Sequence, residues 1–383
     1  MSRPSIDKRT TLRWLMLALG SGGTAGLASL AGCGGGSGDA PPPPSPPPTP
    51  PPSGSLYQSP NSYSVGIKDG LTVTVSLGRV IPIRVRYPLN FLPAAGERLP
   101  VVIWSHGGGA KADGQLNNAE WGDALAGAGY VVIHMAHIPR TSTERDALYA
   151  EFGLTPTQGA ACFGVLQVDR PRDATAVINA LATIQAQVPE LPAPLDLDRV
   201  AMGGHSFGSY TVRTIEGARV DLCPPSSGVT NLPANWPYRS VSFRSAVPKA
   251  FMALSPQGPD RFGFFPTSWS GLDRPDITMS GDGDITTGNA SQDDDGETPP
   301  DRIYAFTNMP PGEKWLMYIA STDAVHNTFN LNNNQRPDFV SWVRATGLAF
   351  MDTYLRGSTT ARSWLATNQL NGPSAGVARV EGR

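Results

Sequence analysis

The residue types most suited to catalysis surround Ser206, in the pentapeptide Gly204-His-Ser-Phe-Gly208. Residues 199–202 have the apolar character of a short buried strand, and residues 209–217 favour a helix. A serine on a sharp strand-to-helix turn is a nucleophile elbow, in which the flanking glycines leave room for the tight turn. Because the chain contains 42 glycines, the motif alone is weak. The interpretation therefore depends on whether the chain also supplies a base, an acid and an oxyanion hole.

A glycine-rich loop is predicted to form the oxyanion hole. The sequence Trp104-Ser-His-Gly-Gly-Gly109 follows an apolar run and precedes the first helical pattern. Acyl transfer places negative charge on the carbonyl oxygen, which two preorganised N–H donors stabilise. The backbone N–H groups of Gly108 and Phe207 are the predicted donors. On its own, the glycine run could equally be a simple turn, but together with the elbow about 100 residues later it becomes specific.

The general base follows by elimination from the five histidines, His106, His134, His137, His205 and His326. His106 and His205 belong to the two glycine motifs. His134 and His137 end a predicted strand, where they are expected to line or support the pocket. Only His326 follows Ser206, in a loop after a late strand. Serine, acid, histidine is the chain order of α/β-hydrolases, so His326 is the predicted base.

The acid is predicted in the loop of residues 280–285, just after the strand at residues 277–279. Asp282 and Asp284 both qualify, and Asp284 is preferred. Its role would be to accept the His326 Nδ1–H and stabilise the imidazolium. Cation binding is the alternative for this loop, because three aspartates follow at residues 293–295, but their spacing does not match a calcium loop.

The elements that position these residues alternate along the chain. Two alternating segments, 71–75 and 80–86, predict an antiparallel opening. Apolar strands are then predicted at residues 101–104, 130–134, 199–202, 249–254 and 277–279, with 314–319 as the last. Helices are predicted at residues 118–127, 169–187, 209–217 and 338–355. This alternation predicts an α/β protein with a mostly parallel central sheet and helices on both faces.

Two long segments, 138–168 and 220–247, interrupt this plan. They are expected to act as lid or pocket walls, and plain surface insertion is the alternative. Cys162 and Cys223 lie in these segments and are the only cysteines of the predicted folded domain. In an exported protein two thiols usually pair, which predicts a disulfide between them. Two buried, unpaired thiols are the alternative.

The N-terminus has the features of an export signal. Residues 1–32 combine basic residues, an apolar run and small residues, and the run is too short for a stable membrane helix. Leu30-Ala-Gly-Cys33 resembles the lipobox of bacterial lipoproteins, which predicts lipidation of Cys33; ordinary signal cleavage is the alternative. Residues 33–54 form a Gly/Pro-rich tether, and residues 55–383 the predicted catalytic domain. The chain is thus expected to be lipid-anchored to a bacterial cell envelope.

Composition excludes other classes of partner and ligand. Charged residues make up 16% of the chain, the formal net charge is −2, and no basic block suggests nucleic-acid binding. The pair His134-x-x-His137 lies at a strand end and lacks the usual spacing of a metal site. We therefore expect no metal, no cofactor and no nucleic-acid partner.

An ordered set of motifs resembles bacterial α/β-hydrolases of the predicted dienelactone hydrolase family, which are related to platelet-activating-factor acetylhydrolases. The motifs are Trp104-Ser-His-Gly-Gly-Gly109, Arg170-Pro-Arg-Asp-Ala174, Gly204-His-Ser-Phe-Gly-Ser-Tyr-Thr211, Ser255-Pro-Gln-Gly258 and Ser268-Trp269. The resemblance covers roughly residues 70–355. It implies an α/β-hydrolase fold and a cofactor-independent serine esterase. Ser206, Asp284 and His326 would be its triad, and Gly108 and Phe207 its oxyanion donors.

The chain also departs from two relatives of this family. True dienelactone hydrolases use a cysteine nucleophile where Ser206 stands. Polyester-degrading cutinase relatives carry an aromatic oxyanion residue where Gly108 stands. The expected substrate is therefore a small-molecule or lipid-like ester, with a polyester as a weaker option. A non-catalytic surface or binding lipoprotein of the same fold and an acyltransferase are the alternative functions.

Overall fold

A nine-stranded, mostly parallel β-sheet holds the chain together, in the strand order β1-β2-β4-β3-β5-β6-β7-β8-β9. The computed structural model describes residues 54–75, 78–286 and 296–383. The strands are β1 Val65–Thr74, β2 Val80–Pro88, β3 Leu99–Ser105, β4 Val131–Met135, β5 Leu195–His205, β6 Ala250–Leu254, β7 Asp276–Gly281, β8 Lys314–Ile319 and β9 Ala378–Gly382. Strands β3 to β8 pair in parallel, whereas β1, β2 and β9 add antiparallel pairings at the two edges. The predicted α/β class is confirmed.

Helices cover both faces of this sheet. They are α1 Ala119–Gly127, α2 Ser142–Glu151, α3 Pro156–Cys162, α4 Leu166–Asn179, α5 Leu181–Gln187, α6 Phe207–Glu216, α7 Pro299–Asn308, α8 Pro337–Arg356 and α9 Thr359–Ala366. Successive residues of β3 face opposite sides, as the pleat of a strand requires. Val102 and Trp104 pack with α1, α8 and α9, whereas Val101 and Ile103 pack with α4, α5 and α6. The sheet is therefore buried between two helical layers.

Several predicted boundaries are wrong. The strand at residues 314–319 is not the last, because β9 follows and pairs with it antiparallel. The helix predicted at residues 169–187 begins at Leu166 and divides into α4 and α5 at Ala180, whose backbone leaves the helical region. Helices α2, α3, α7 and α9 were not predicted.

The predicted disulfide between Cys162 and Cys223 is present. It joins the last residue of α3 to the segment after α6, and both cysteines are buried with Phe163, Leu222 and Trp236. The bond therefore connects the two long segments that interrupt the regular alternation of strands and helices.

Reduction of this disulfide should destabilise the domain. The cysteines are 61 residues apart, and closing a loop of that length in the unfolded chain is worth at most about 4 kcal/mol on the chain-entropy model. We expect the urea midpoint to fall when reductant is added, measured by tryptophan fluorescence. A Cys162→Ser/Cys223→Ser variant should show the lower midpoint with or without reductant. An unchanged midpoint of the wild type in reductant would contradict the prediction.

The predicted signal (residues 1–32), Cys33 and the tether as far as residue 53 lie outside the described residues, as do the aspartates at 293–295. Within the described ranges, no helix has the length and apolar character needed to cross a membrane.

Candidate active site

Ser206 sits on a strained turn between β5 and α6. Its backbone has φ 56° and ψ −124°, a conformation that a non-glycine residue adopts only when the surrounding structure imposes it. The Ser206 N–H donates to the Leu254 carbonyl at the end of β6 (2.9 Å). The Ser209 hydroxyl, which has a single hydrogen, also donates to that carbonyl (2.6 Å), and its Oγ lies 2.9 Å from the Gly204 carbonyl oxygen. These bonds fix the turn that presents the serine.

The two motif glycines allow the turn to pack directly on the end of β3. A Cβ atom at Gly208 would lie 2.0 Å from the Ser105 carbonyl oxygen. A Cβ atom at Gly204 would lie 2.6 Å from the Gly208 carbonyl oxygen and 2.9 Å from that of Ser105. No side chain fits at either position, because the obstructing atoms are backbone. The spacing of the pentapeptide thus reflects this close approach.

The glycine loop after β3 runs beside Ser206. A Cβ atom at Gly107 would lie 3.1 Å from the Ser206 Cβ. The Gly108 N–H makes no hydrogen bond in the described part of the chain. Phe207 is the first residue of α6, so its N–H has no partner within the helix. Both predicted donors are therefore free to bind an oxygen atom near Ser206.

His106 orients the peptide that carries the Gly108 N–H. Its Nδ1 lies 2.8 Å from the Gly107 carbonyl oxygen, and because a carbonyl can only accept, Nδ1 carries the hydrogen. Burial, together with the neighbouring His137 and Arg170, lowers the pKa of His106 to about 3, so the ring is neutral. Fixing the Gly107 carbonyl on one side of the peptide directs the Gly108 N–H to the other.

Arg170, which lies on α4, holds the same glycine loop in place. Its guanidinium donates to the carbonyls of His106 (2.7 Å) and Gly108 and lies over the Phe207 ring, 4.6 Å from the centroid. The side chain is fully buried, and burial lowers the pKa of Arg170 to about 9. Sequence reasoning assigned Arg170 no role. Its position in the motif Arg170-Pro-Arg-Asp-Ala174 was the available signal.

His137 supports the loop rather than lining a cavity. It is fully buried and bridges the Ser105 hydroxyl (2.9 Å, to Nε2) and the Asp173 carboxylate (2.9 Å, to Nδ1). Asp173 also pairs with Arg79. This network joins the ends of β3 and β4 to α4. Of the two roles expected for His137, the structure shows the supporting one.

His326 and Asp284 lie in hydrogen-bond contact, with 2.8 Å between His326 Nδ1 and Asp284 Oδ1. His326 begins the short helix His326–Asn330 after β8, and Asp284 follows β7. The carboxylate is fully buried, whereas a fifth of the His326 side chain is exposed. The second imidazole nitrogen can therefore reach a substrate while the first is held by the carboxylate.

Asp282, the alternative acid, is engaged elsewhere. Its Oδ1 accepts a hydrogen bond from the Tyr318 hydroxyl (2.6 Å). The two aspartates of the loop therefore separate into one bound to His326 and one bound to a tyrosine on the neighbouring strand.

Arg302 on α7 stabilises the charged form of Asp284. Its Nε lies 3.3 Å from Asp284 Oδ1, and its Nη1 donates to the carbonyls of Ser255 and Pro256 (3.0 Å each). Burial would raise the pKa of Asp284, but the hydrogen bond from His326 and the charge of Arg302 outweigh it and lower that pKa below its usual range. The acid therefore remains ionised at neutral pH. Arg302 was missed because α7 was missed.

Two cavities flank Ser206 and share Gly108. The larger has a volume of about 570 Å³ and contains His326 together with residues of the loops at 107–120 and 326–330. The smaller has a volume of about 200 Å³ and is lined by Phe207 and Phe262 together with the polar or charged side chains of Gln257, Arg261, Thr286, Glu297 and Arg302. In the described part of the chain, Ser206 Oγ makes no hydrogen bond to His326; the two side chains line the same cavity.

The two long segments at 138–168 and 220–247 do not line either cavity, so their predicted role as pocket walls is wrong for this site. The reason for the second segment is topological. Helix α6 runs back from the elbow, and its residue Arg213 pairs with Asp276 at the start of β7. The segment after α6 therefore starts near the N-terminal ends of the strands, whereas Ser206 lies at their C-terminal ends.

His205 and His134 are uncharged at neutral pH. Burial first, and then the neighbouring His326, lower the pKa of His205 to about 3, while its Nε2 contacts the His326 carbonyl oxygen at 2.9 Å. Burial lowers the pKa of His134 well below its usual value. Within the described ranges, no cluster of three or more His, Cys, Asp or Glu side chains could hold a metal ion.

Comparison with known proteins finds no family model and no curated protein that matches this chain.

Proposed function

We propose that the chain is a serine hydrolase of carboxylic esters with an α/β-hydrolase fold. The observation that carries the proposal is the His326–Asp284 hydrogen bond in the loops after β7 and β8, beside a serine held at φ 56° after β5. The strand order and the sequence order serine, aspartate, histidine also support it. Structural histidines are common, but here the histidine shares a cavity with the strained serine.

The mechanism follows from the atoms in place. Ser206 Oγ attacks the ester carbonyl carbon as His326 Nε2 takes its proton, and Asp284 stabilises the resulting imidazolium through Nδ1. The carbonyl oxygen becomes an oxyanion that accepts hydrogen bonds from the Gly108 and Phe207 N–H groups. As the C–O bond breaks, His326 returns the proton to the leaving alcohol. Water, deprotonated by His326, then releases the acid and restores Ser206.

Covalent labelling tests this proposal. A fluorophosphonate probe should react with the purified protein, and peptide mapping by mass spectrometry should find the adduct on Ser206. Absence of labelling, or an adduct on a different residue, would count against the proposal.

We also propose that the enzyme is exported and anchored to the cell envelope through a lipid on Cys33. The lipobox-like sequence before Cys33 supports this, and the Cys162–Cys223 disulfide is typical of an oxidising compartment. Cells expressing the chain should incorporate labelled palmitate into it. Cys33→Ser should remove the label, and equal incorporation into that variant would contradict the anchor.

A further inference from the structure

The two cavities at Ser206 can be assigned to the two halves of an ester, an assignment that rests on the proposed function. His326 must deliver a proton to the departing alcohol oxygen, so the alcohol lies on the His326 side. His326 lines only the larger cavity. The larger cavity therefore receives the alcohol, and the smaller one, on the Phe207 side of Ser206, receives the acyl group.

The alcohol cavity is lined by polar side chains with unused hydrogen-bonding capacity. Lys111, Asn117, Glu120 and Asn327 line it, and within the described ranges their side chains make no hydrogen bond or ion pair. Each amide offers both donors and acceptors. A hydroxyl group also both donates and accepts, so this lining suits an alcohol with several hydroxyl groups.

Two other asparagines that line the same cavity are already hydrogen-bonded. The Asn118 amide donates to the Asn330 side chain and accepts from Trp104 Nε1 (3.2 Å). This pair connects the loop before α1 to the short helix that begins with His326. The four free side chains are thus held on two segments that are fixed relative to each other and to the base.

The charge of the cavity favours a neutral ligand. Among the described residues that line it, Lys111 is the cation and Glu120 the anion, and their charges cancel. Recognition of a phosphate generally uses clustered arginine or lysine donors, and a single lysine opposed by a glutamate does not provide that. A lipid with an anionic phosphate is therefore a poorer fit than a neutral polyol.

The acyl cavity is smaller and partly aromatic. Its volume is about 200 Å³, against about 570 Å³ for the alcohol cavity. The rings of Phe207 and Phe262 stack at a centroid distance of 4.3 Å and an angle of 20°. A short acyl group can contact these rings, whereas a longer apolar chain would also meet the charged side chains of Arg261, Glu297 and Arg302, which line the same cavity.

We propose that the substrate is a short-chain ester, such as an acetate, of a neutral alcohol that carries several hydroxyl groups, as a sugar does. Two or three hydrogen bonds from the free side chains to these hydroxyls would hold the alcohol beside His326. Each such bond contributes modestly to binding, and two together correspond to about a tenfold gain.

The test compares two acetates that differ only in the alcohol. For the wild type, kcat/KM for methyl 6-O-acetyl-glucoside should exceed that for hexyl acetate by about tenfold or more. Asn117→Ala and Asn327→Ala should each lower that ratio toward one, and the ratio cancels any general loss of activity. Asn179→Ala, an exposed asparagine at the end of α4, is the matched control and should leave the ratio unchanged.

The outcomes separate this inference from the proposed function. Hydrolysis of p-nitrophenyl acetate with equal turnover of the two acetates would overturn the inference and leave the esterase intact. Faster turnover of an acetylated glycerophospholipid than of the glycoside would also overturn it. Failure to hydrolyse any of these esters, or to react with a fluorophosphonate, would instead overturn the proposed function.

Discussion

Ser206→Ala should lower kcat for p-nitrophenyl acetate by about 10⁴- to 10⁶-fold, because the variant has no nucleophile for the acyl-enzyme pathway. The remaining rate would come from the oxyanion donors and binding, which continue to stabilise direct attack by water. Stopped-flow or steady-state assays of nitrophenolate release measure the effect. Fluorophosphonate labelling should disappear in the same variant.

Ser270→Ala provides the matched control for this loss. Ser270 is exposed, and its hydroxyl donates only to the nearby Thr267 carbonyl (2.9 Å). Its removal should change neither labelling nor turnover. If Ser206→Ala hydrolysed the ester at the wild-type rate, the elbow would have no catalytic role in this chain. That result would favour the non-catalytic alternative.

The local parts of the site could be predicted because they obey short-range rules. The glycines around Ser206 are required by backbone contacts within a few residues of the turn and by the adjacent strand end. In the glycine loop that begins at residue 107, Gly107 packs closely against the elbow, whereas Gly108 is required by its positive φ of 74°. The position of His326 followed from chain order, since it is the single histidine after the serine.

Three of the helices that were not predicted begin with a sequence pattern that could have predicted them. Helices α2, α3 and α7 each begin after a threonine whose N–H donates to an acidic or amide side chain three residues later. The pairs are Thr141–Glu144, Thr155–Gln158 and Thr298–Asp301. This is the capping-box pattern, in which a Ser or Thr precedes Glu, Gln or Asp by three positions. Because α7 carries Arg302, recognising its cap would have pointed to the cation that holds Asp284.

The supporting cations and the pocket walls could not be derived from local sequence. Arg170 lies 62 residues from Gly108, whose carbonyl it binds, and Arg302 lies 47 residues from Ser255. Such contacts depend on how the helices pack on the sheet. Likewise, the segment after α6 cannot be placed until the direction of α6 across the sheet is known. Sequence pattern thus defined the reacting groups, and tertiary packing defined what surrounds them.

Asp284→Asn should lower kcat by about 10⁴-fold, with much less effect from Asp282→Asn. The amide cannot stabilise the imidazolium, and its NH₂ group would favour the wrong histidine tautomer. The comparison is well matched, because the two aspartates are two residues apart, yet Asp284 binds His326 and Asp282 binds Tyr318. Since Arg302 also loses its charged partner in Asp284→Asn, Tm should be measured for both variants.

In Asp284→Asn, a loss of catalysis has to be separated from a loss of stability, and the lowered pKa of Asp284 gives the pH range in which its charge stabilises the fold. Because the pKa of Asp284 is lowered in the fold, its stabilising contribution is present above the unfolded-state pKa and is lost as pH falls through the lower folded value. At neutral pH the wild type therefore has the full ion pair, and Asp284→Asn lacks it. A folded variant with a large kcat loss at neutral pH would support Asp284 as the acid. A dead Asp282→Asn beside an active Asp284→Asn would transfer that role to Asp282 and leave the His326–Asp284 bond as a structural contact.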